Sequence, residues 1–226
     1  SAAPGITQAA QKANIPLVYL NLEPGNVGQL PDKQAYVGSR ETDAGTQAAQ
    51  ATCDLLKKKG KENNAQVYIL MGDLAHQASR DRTSSFKDTL SAGDCKGVTI
   101  ADEQSAAWTR TNAMDMTTNW ITAGQPIDVV YANNDEMALG AIQALKSAGV
   151  SMDDVIVIGI DATQDALAAM AVGDLDATVF QNAKAQSASA IDAAVALAGG
   201  KPVEKQVMVP FELVTPENMK DYAKRN

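Results

Sequence analysis

Short apolar runs alternate along most of this chain with longer segments in which apolar positions recur at helical spacing. Residues 5–13 have a helical pattern, and residues 15–20 (IPLVYL) read as a short buried strand. Residues 21–33, with Pro24, Gly25, Gly28 and Pro31, form a loop, and residues 35–38 a second, shorter strand. A regular alternation follows: helix 43–59 closed by Gly60, strand 67–71, helix 79–90, strand 97–101, and helix 109–122 closed by Gly124. It continues through strand 129–131, helix 135–147, strand 155–160, helix 164–171, strand 177–180 and helix 183–198. After Gly199-Gly200 the tail changes character, with strands at 206–209 and 211–214 and a last helix at 216–222. Strands alternating with helices of this length mean βα units and a parallel sheet, so the fold class is α/β.

Three of these strands end in polar residues. Val129-Val130-Tyr131 runs into Asn133-Asn134-Asp135, strand 155–160 into Asp161, and strand 177–180 into Gln181. A parallel sheet brings such ends to its carboxyl edge, where open α/β sheets bind ligands. Amides donate and accept while a carboxylate accepts strongly, so Asn134, Asp161 and Gln181 suit a ligand made mostly of hydroxyls. The same residues also have structural uses: Asn134 and Asp161 could cap the helices that follow, and Gln181 could satisfy a backbone group.

Composition narrows the function classes. The 226 residues are 45% hydrophobic, 20% charged and 4% aromatic, the profile of a globular chain of one large or two small domains. A net charge of −8 argues against a nucleic-acid partner, which needs a basic face. The cluster Lys57 to Lys61 reads as a solvated helix C-terminus, where cations suit the dipole. No apolar stretch approaches the ~20 residues of a membrane span. Neither G-x-G-x-x-G nor G-x-x-x-x-G-K-[ST] follows a strand, so no nucleotide cofactor is expected. With one His and no His/Cys cluster, no catalytic metal is expected either. Cys53 falls on a helix and Cys95 in a Gly-rich turn; a bridge and two separate thiols both stay open, since sequence does not supply their Cα separation.

Four segments carry a resemblance: Asn133-Asn134-Asp135-Glu136-Met137-Ala138-Leu139-Gly140, Val157-Ile158-Gly159-Ile160-Asp161, Ala177-Thr178-Val179-Phe180-Gln181 and Val209-Pro210-Phe211-Glu212-Leu213-Val214-Thr215. In this order they resemble the periplasmic sugar-binding proteins of ABC importers, ribose-binding type. The stretches Tyr36-Val37-Gly38-Ser39 and Ala107-Trp108-Thr109-Arg110 resemble the inositol- and rhizopine-binding branch. The resemblance implies a type I periplasmic-binding-protein fold: two doubly wound, Rossmann-like parallel-sheet domains joined by three crossings, with a ligand in the cleft. It divides the chain into a partial N-terminal domain (1–41), a C-terminal domain (42–181), a return to the first domain (182–205) and a hinge crossing with tail (206–226). It also implies that the first strand–helix–strand–helix–strand stretch of the N-terminal domain, on the order of 90 residues for a domain of ordinary size, is not in this chain. The resemblance implies a periplasmic location, with an inner-membrane permease as protein partner and a chemoreceptor as a further one.

By the same resemblance, Arg82 takes the position of the sugar-binding arginine at the head of a helix, where a planar fork of donors can hold two vicinal hydroxyls. Arg80 is its neighbouring alternative, and Ser85 stands where the family usually has Gly. Trp108 matches the stacking aromatic, since the CH face of a cyclic polyol packs on an indole; Trp120, inside a helix, reads as core. Asn134, Asp161 and Gln181 match three polar contacts. Asn21 and Leu22 fall where many relatives carry Asp-Arg; Asn21 can still bond a hydroxyl, whereas Leu22 cannot replace an arginine. Arg40 and the lone His76 read as solvated loop residues. The expected function is binding of a cyclic polyol or monosaccharide without catalysis, metal or cofactor. The alternatives are the effector domain of a sugar-responsive transcription regulator and a chemoreceptor-linked sugar sensor.

Overall fold

A computed structural model describes residues 2–225. In chain order the elements are α1 (Ala3–Lys12), β1 (Leu17–Leu20), β2 (Gln34–Gly38), α2 (Glu41–Lys59), β3 (Gln66–Met71), α3 (Gln77–Ala92), β4 (Thr99–Ser105) and α4 (Arg110–Thr122). There follow β5 (Val129–Ala132), α5 (Asp135–Ser147), β6 (Ile156–Asp161), α6 (Gln164–Ala171), β7 (Ala177–Phe180), α7 (Ala183–Ala198), β8 (Gln206–Met208) and β9 (Glu212–Val214). The chain forms two compact units: one of residues up to Arg40 with Asn182–Pro210, the other of Glu41–Gln181 with the segment from Phe211 onward.

The larger unit is built on a six-stranded sheet in the order β4-β3-β5-β6-β7-β9. All pairs from β4 to β7 are parallel, as the βα alternation predicts; β9 closes one edge antiparallel, with Thr178 opposite Val214. Side chains alternate across the sheet because a strand has a period of two. Val67, Ile69, Val129, Tyr131, Ile156, Ile158 and Ile160 pack under α2 and α3, and Tyr68, Leu70, Val130, Ala132 and Val157 under α4, α5 and α6. Both faces are therefore buried, which is why β5 and β6 read as unbroken apolar runs. Trp120 lies in this core as expected, 5% exposed, its Nε1 donating to Asp102 Oδ2 at 2.7 Å. Since β3 has β4 on one side and β5 on the other, strand order reverses there, and ligands bind at such a switch point.

The smaller unit holds a three-stranded parallel sheet, β1-β2-β8, covered by α7 through Val37, Ala190 and Ala193. Gln186 Nε2 donates to Ser39 Oγ at 2.7 Å in its interior. Gln206–Met208 pairs with Tyr36–Gly38, so the chain passes to the larger unit after Pro210, inside the segment 206–226.

Two expectations are corrected. Strand β4 begins later and runs on to Ser105. Its Asp102-Glu103-Gln104 do not look like strand, but an edge strand leaves such residues in water while its backbone pairs with β3. In place of a helix at 216–222 there is only a 3₁₀ turn, Met219–Asp221, because Tyr222 stacks edge-on against Phe180 and its hydroxyl donates to Glu212 at 2.9 Å. The open question of the cysteines is answered by a disulfide, Cys53 to Cys95, with Cα atoms 5.7 Å apart.

At the amino-terminal edge of the sheet, Asp176 Oδ2 accepts from Val157 N at 2.8 Å. Burial pushes this carboxyl up to about 6, and the Val157 bond only partly opposes it. The folded protein then holds the proton more tightly than the unfolded chain, whose Asp titrates near 3.9. Its contribution to stability is full below about pH 4 and is lost as the pH rises to about 6, by at most ~3 kcal/mol. Asp176→Asn keeps an acceptor for Val157 and should raise the melting temperature at pH 7 while flattening the decline between pH 4 and 6. Thermal melts across that range check this, and an unchanged profile would refute it.

Candidate functional site

Four predicted residues stand at the carboxyl edge of the larger unit's sheet, Trp108 after β4, Asn134 after β5, Asp161 at the end of β6 and Gln181 after β7, while Arg82 lies on α3, which follows β3. Contacts connect them. Asn134 Nδ2 donates to the Trp108 carbonyl at 3.4 Å, the Arg82 guanidinium lies 5.7 Å from the Trp108 ring centre, and Gln181 N donates to the Asp161 carbonyl at 3.4 Å. Asn21 belongs to the smaller unit.

Arg82 is 4% exposed and bound on two sides. Its Nε donates to Glu41 Oε2 at 2.6 Å and its Nη1 to the Asn133 carbonyl at 2.7 Å. Burial alone would lower the guanidinium pKa, but Glu41 and then Asp161 outweigh it and hold Arg82 above its ordinary value. Phe211 adds a ring 5.6 Å away. Arg80, the alternative, is exposed and donates to the Leu74 carbonyl, so Arg82 is the arginine beside Trp108.

Some of these residues have left-handed backbone. Trp108 and Asp161 have positive φ, 68° and 126°, as do their neighbours Ala107 and Ala162 and, in the smaller unit, Asn21 at 65°. Such conformations cost about 1–3 kcal/mol each and persist only where surroundings impose them. For Asn21 the surroundings are Tyr36, whose hydroxyl donates to the Asn21 carbonyl at 2.9 Å while its ring occupies the space a Cβ at Gly38 would need. Around Asp161 the imposing group is Asp135, which is fully buried. Its Oδ2 accepts from Thr163 N and its Oδ1 from Thr178 Oγ1, both at 2.7 Å, and Thr178 Oγ1 accepts from Ala162 N at 3.2 Å. Gly159 allows this approach, since a Cβ there would lie 2.2 Å from Asp135 Oδ1. Burial pushes the carboxyls of both Asp135 and Asp161 up; Arg82 pulls Asp161 back down and Asp135 pushes it further up.

Asn134 has the structural use its position suggested: its Oδ1 caps α5 by accepting from Met137 N at 3.0 Å. His76 departs from its solvated reading. It is half-buried, and its Nδ1 accepts from Trp108 Nε1 at 3.0 Å. Glu41, Asn133 and Asp135 are supporting residues to which sequence reasoning gave no role of their own, and His76 is one it read as solvated. Asn133 Oδ1 gathers Gly72 N, Ser79 Oγ and Thr83 Oγ1 at 3.1–3.3 Å, tying β3, α3 and β5 together beneath Arg82. Only the adjacency of Asn133 and Asp135 to Asn134 could have flagged them. On the rim, Arg110 donates to both oxygens of Glu136 and to Asp165 Oδ2, joining the amino ends of α4, α5 and α6. Among the described residues no group of three or more His, Cys, Asp or Glu is placed to hold a metal ion.

A doubly wound unit with polar side chains and one aromatic ring at the switch-point edge, coupled by three chain crossings to a second α/β unit, is the class of the bilobal solute-binding proteins. The periplasmic binding protein domain family matches residues 1–202, and the chain belongs to that family, with the type I fold. It is 51% identical over 221 residues to the "Putative rhizopine-binding protein" of Rhizobium meliloti, covering 98% of this chain and 70% of that protein. With the ribose import binding protein RbsB of Bacillus subtilis it shares 33% identity over 93% of this chain and 65% of the relative. A solved structure of an ABC transporter solute-binding protein from Bacillus halodurans with bound myo-inositol superposes with a TM-score of 0.90 at 39% identity, covering all of this chain and 75% of that one.

Proposed function

We propose that this chain is the substrate-binding component of an ABC importer and takes a neutral cyclic polyol or monosaccharide, inositol-like first and pentose or hexose second. The observation that carries the reading is the set Trp108, Asn134, Asp161 and Gln181 at the carboxyl ends of four strands of the larger unit, with Arg82 on α3 beside Trp108. Guanidinium and amide groups donate to ring hydroxyls, Asp161 accepts from them, and the indole face packs on the CH face of the ring. The names of the relatives support the same ligand class, with myo-inositol in one structure and ribose import in another protein. The set binds and does not react. The lone His is engaged with Trp108, and on this reading the protein works by binding, with neither metal nor cofactor. The partners are then a membrane permease, with a chemoreceptor as a second client, and no nucleic acid. Location is periplasmic, which the disulfide suits, since such bonds persist in oxidising compartments.

Thermal-shift measurements on this chain with a panel of polyols, sugars, amino acids and nucleotides test the class, because a ligand of the native state raises stability by mass action. Melts raised by amino acids or nucleotides alone would refute the reading. Calorimetry with the best polyol should then show Trp108→Ala and Asp161→Ala each weakening binding by about 1–3 kcal/mol, the range for lost buried hydrogen bonds and packed aromatics.

A further inference from the structure

The Trp108 ring is held by more than its own chain. Its backbone is in the left-handed region, where an isolated tryptophan would not stay. One seat is made by Gly72: a Cβ there would lie 2.1 Å from Cζ2 and 2.2 Å from Cε2, so the indole rests on bare backbone. The second hold is His76, whose Nδ1 accepts the Nε1–H at 3.0 Å and whose ring lies 6.2 Å away at an interplanar angle of 24°. His76 occupies the N-cap position of α3, yet its side chain makes no capping bond there. It reaches instead to a residue 32 positions along the chain.

We infer that His76 is a positioning residue for the sugar-binding face of Trp108. Indole has a single donor and no acceptor, so the Nδ1 that receives it carries no proton, and the neutral imidazole presents its N–H at Nε2. Consuming that donor has two consequences. The ring cannot rotate without stranding Nε1–H, and it offers a ligand only an apolar face, which selects the CH side of a cyclic polyol over a hydroxyl acceptor. Gly72 fixes the tilt of the plane and His76 its rotation within the plane.

This role rests on the polyol reading for its consequence but not for its geometry, and the experiment separates the two. In the ligand-free protein the indole N–H resonance of Trp108, assigned by its loss in Trp108→Phe, is followed in His76→Ala and His76→Asn. Asparagine can put an acceptor close to the place of Nδ1. His76→Ala should move the resonance and speed its exchange with solvent by tenfold or more, and His76→Asn should restore most of the protection. Affinity for myo-inositol should follow in step, falling about tenfold in His76→Ala and returning to within about threefold in His76→Asn, with melting temperatures close to wild type. An unmoved resonance in His76→Ala, or no rescue by His76→Asn, overturns the inference. A moved and rescued resonance in a protein that binds no polyol supports the His76–Trp108 hold and refutes the ligand class.

Discussion

Replacing Glu41 by alanine should destabilise the protein by about 3–5 kcal/mol, the usual cost of stranding one member of a buried ion pair. The pair is close, 2.6 Å from Arg82 Nε to Glu41 Oε2, and the two side chains are 5% and 10% exposed. Arginine cannot escape by losing its proton at any accessible pH, so the charge remains in the interior, bonded to the Asn133 carbonyl. Glu41→Gln keeps an acceptor and should cost less. Glu41→Ala combined with Arg82→Met removes both charges and should recover part of the loss, because an apolar pair of similar volume needs no compensation. Urea unfolding of the three variants at pH 7 gives the comparison. A Glu41→Ala protein within about 1 kcal/mol of wild type would show that Asp161 and water together replace the lost carboxylate.

The second large effect belongs to the disulfide. Cys53 on α2 and Cys95 in the turn after α3 close a loop with a sequence separation of 42. On the chain-entropy account that loop restricts the unfolded state by ~4 kcal/mol, and removal of native bridges usually costs about 2–5 kcal/mol. The paired Cys53→Ser/Cys95→Ser protein should therefore melt well below the oxidised wild type, and reduced wild type should melt near the variant. Cys95 is buried, so a serine there also loses a little apolar packing, and the reduced wild type isolates the bridge itself. If mass spectrometry shows two free thiols in protein purified under oxidising conditions, or if reduction leaves the melt unchanged, the bridge does not contribute as described.

Much of the larger unit was legible in the chain. Strands β3, β5, β6 and β7 are apolar on both faces because helices cover both faces, and a run such as Val129-Val130-Tyr131-Ala132 needs no tertiary information to be read. The βα alternation then implies parallel pairing, and parallel pairing puts the residues that follow each strand on one edge. That reasoning alone placed Asn134, Asp161 and Gln181 together, and the resemblance added Arg82 and Trp108. The polar end of β4 was not legible, because an edge strand is held by backbone bonds that side-chain pattern does not record. Nor was the missing C-terminal helix, whose residues have helical spacing but are held by Phe180 and Glu212.

The supporting residues were hidden for a different reason. Glu41 and Arg82 are 41 positions apart, His76 and Trp108 32, Asp135 and Thr178 43, and the two cysteines 42. Sequence pattern reports periodicities of two and 3.6 residues, and these partnerships have neither. Local chemistry thus determined which residues could meet a ligand. Only the folded chain decided which of them are charged, capped or clamped, because burial, dielectric and orientation at each strand end are set by groups that arrive from other elements.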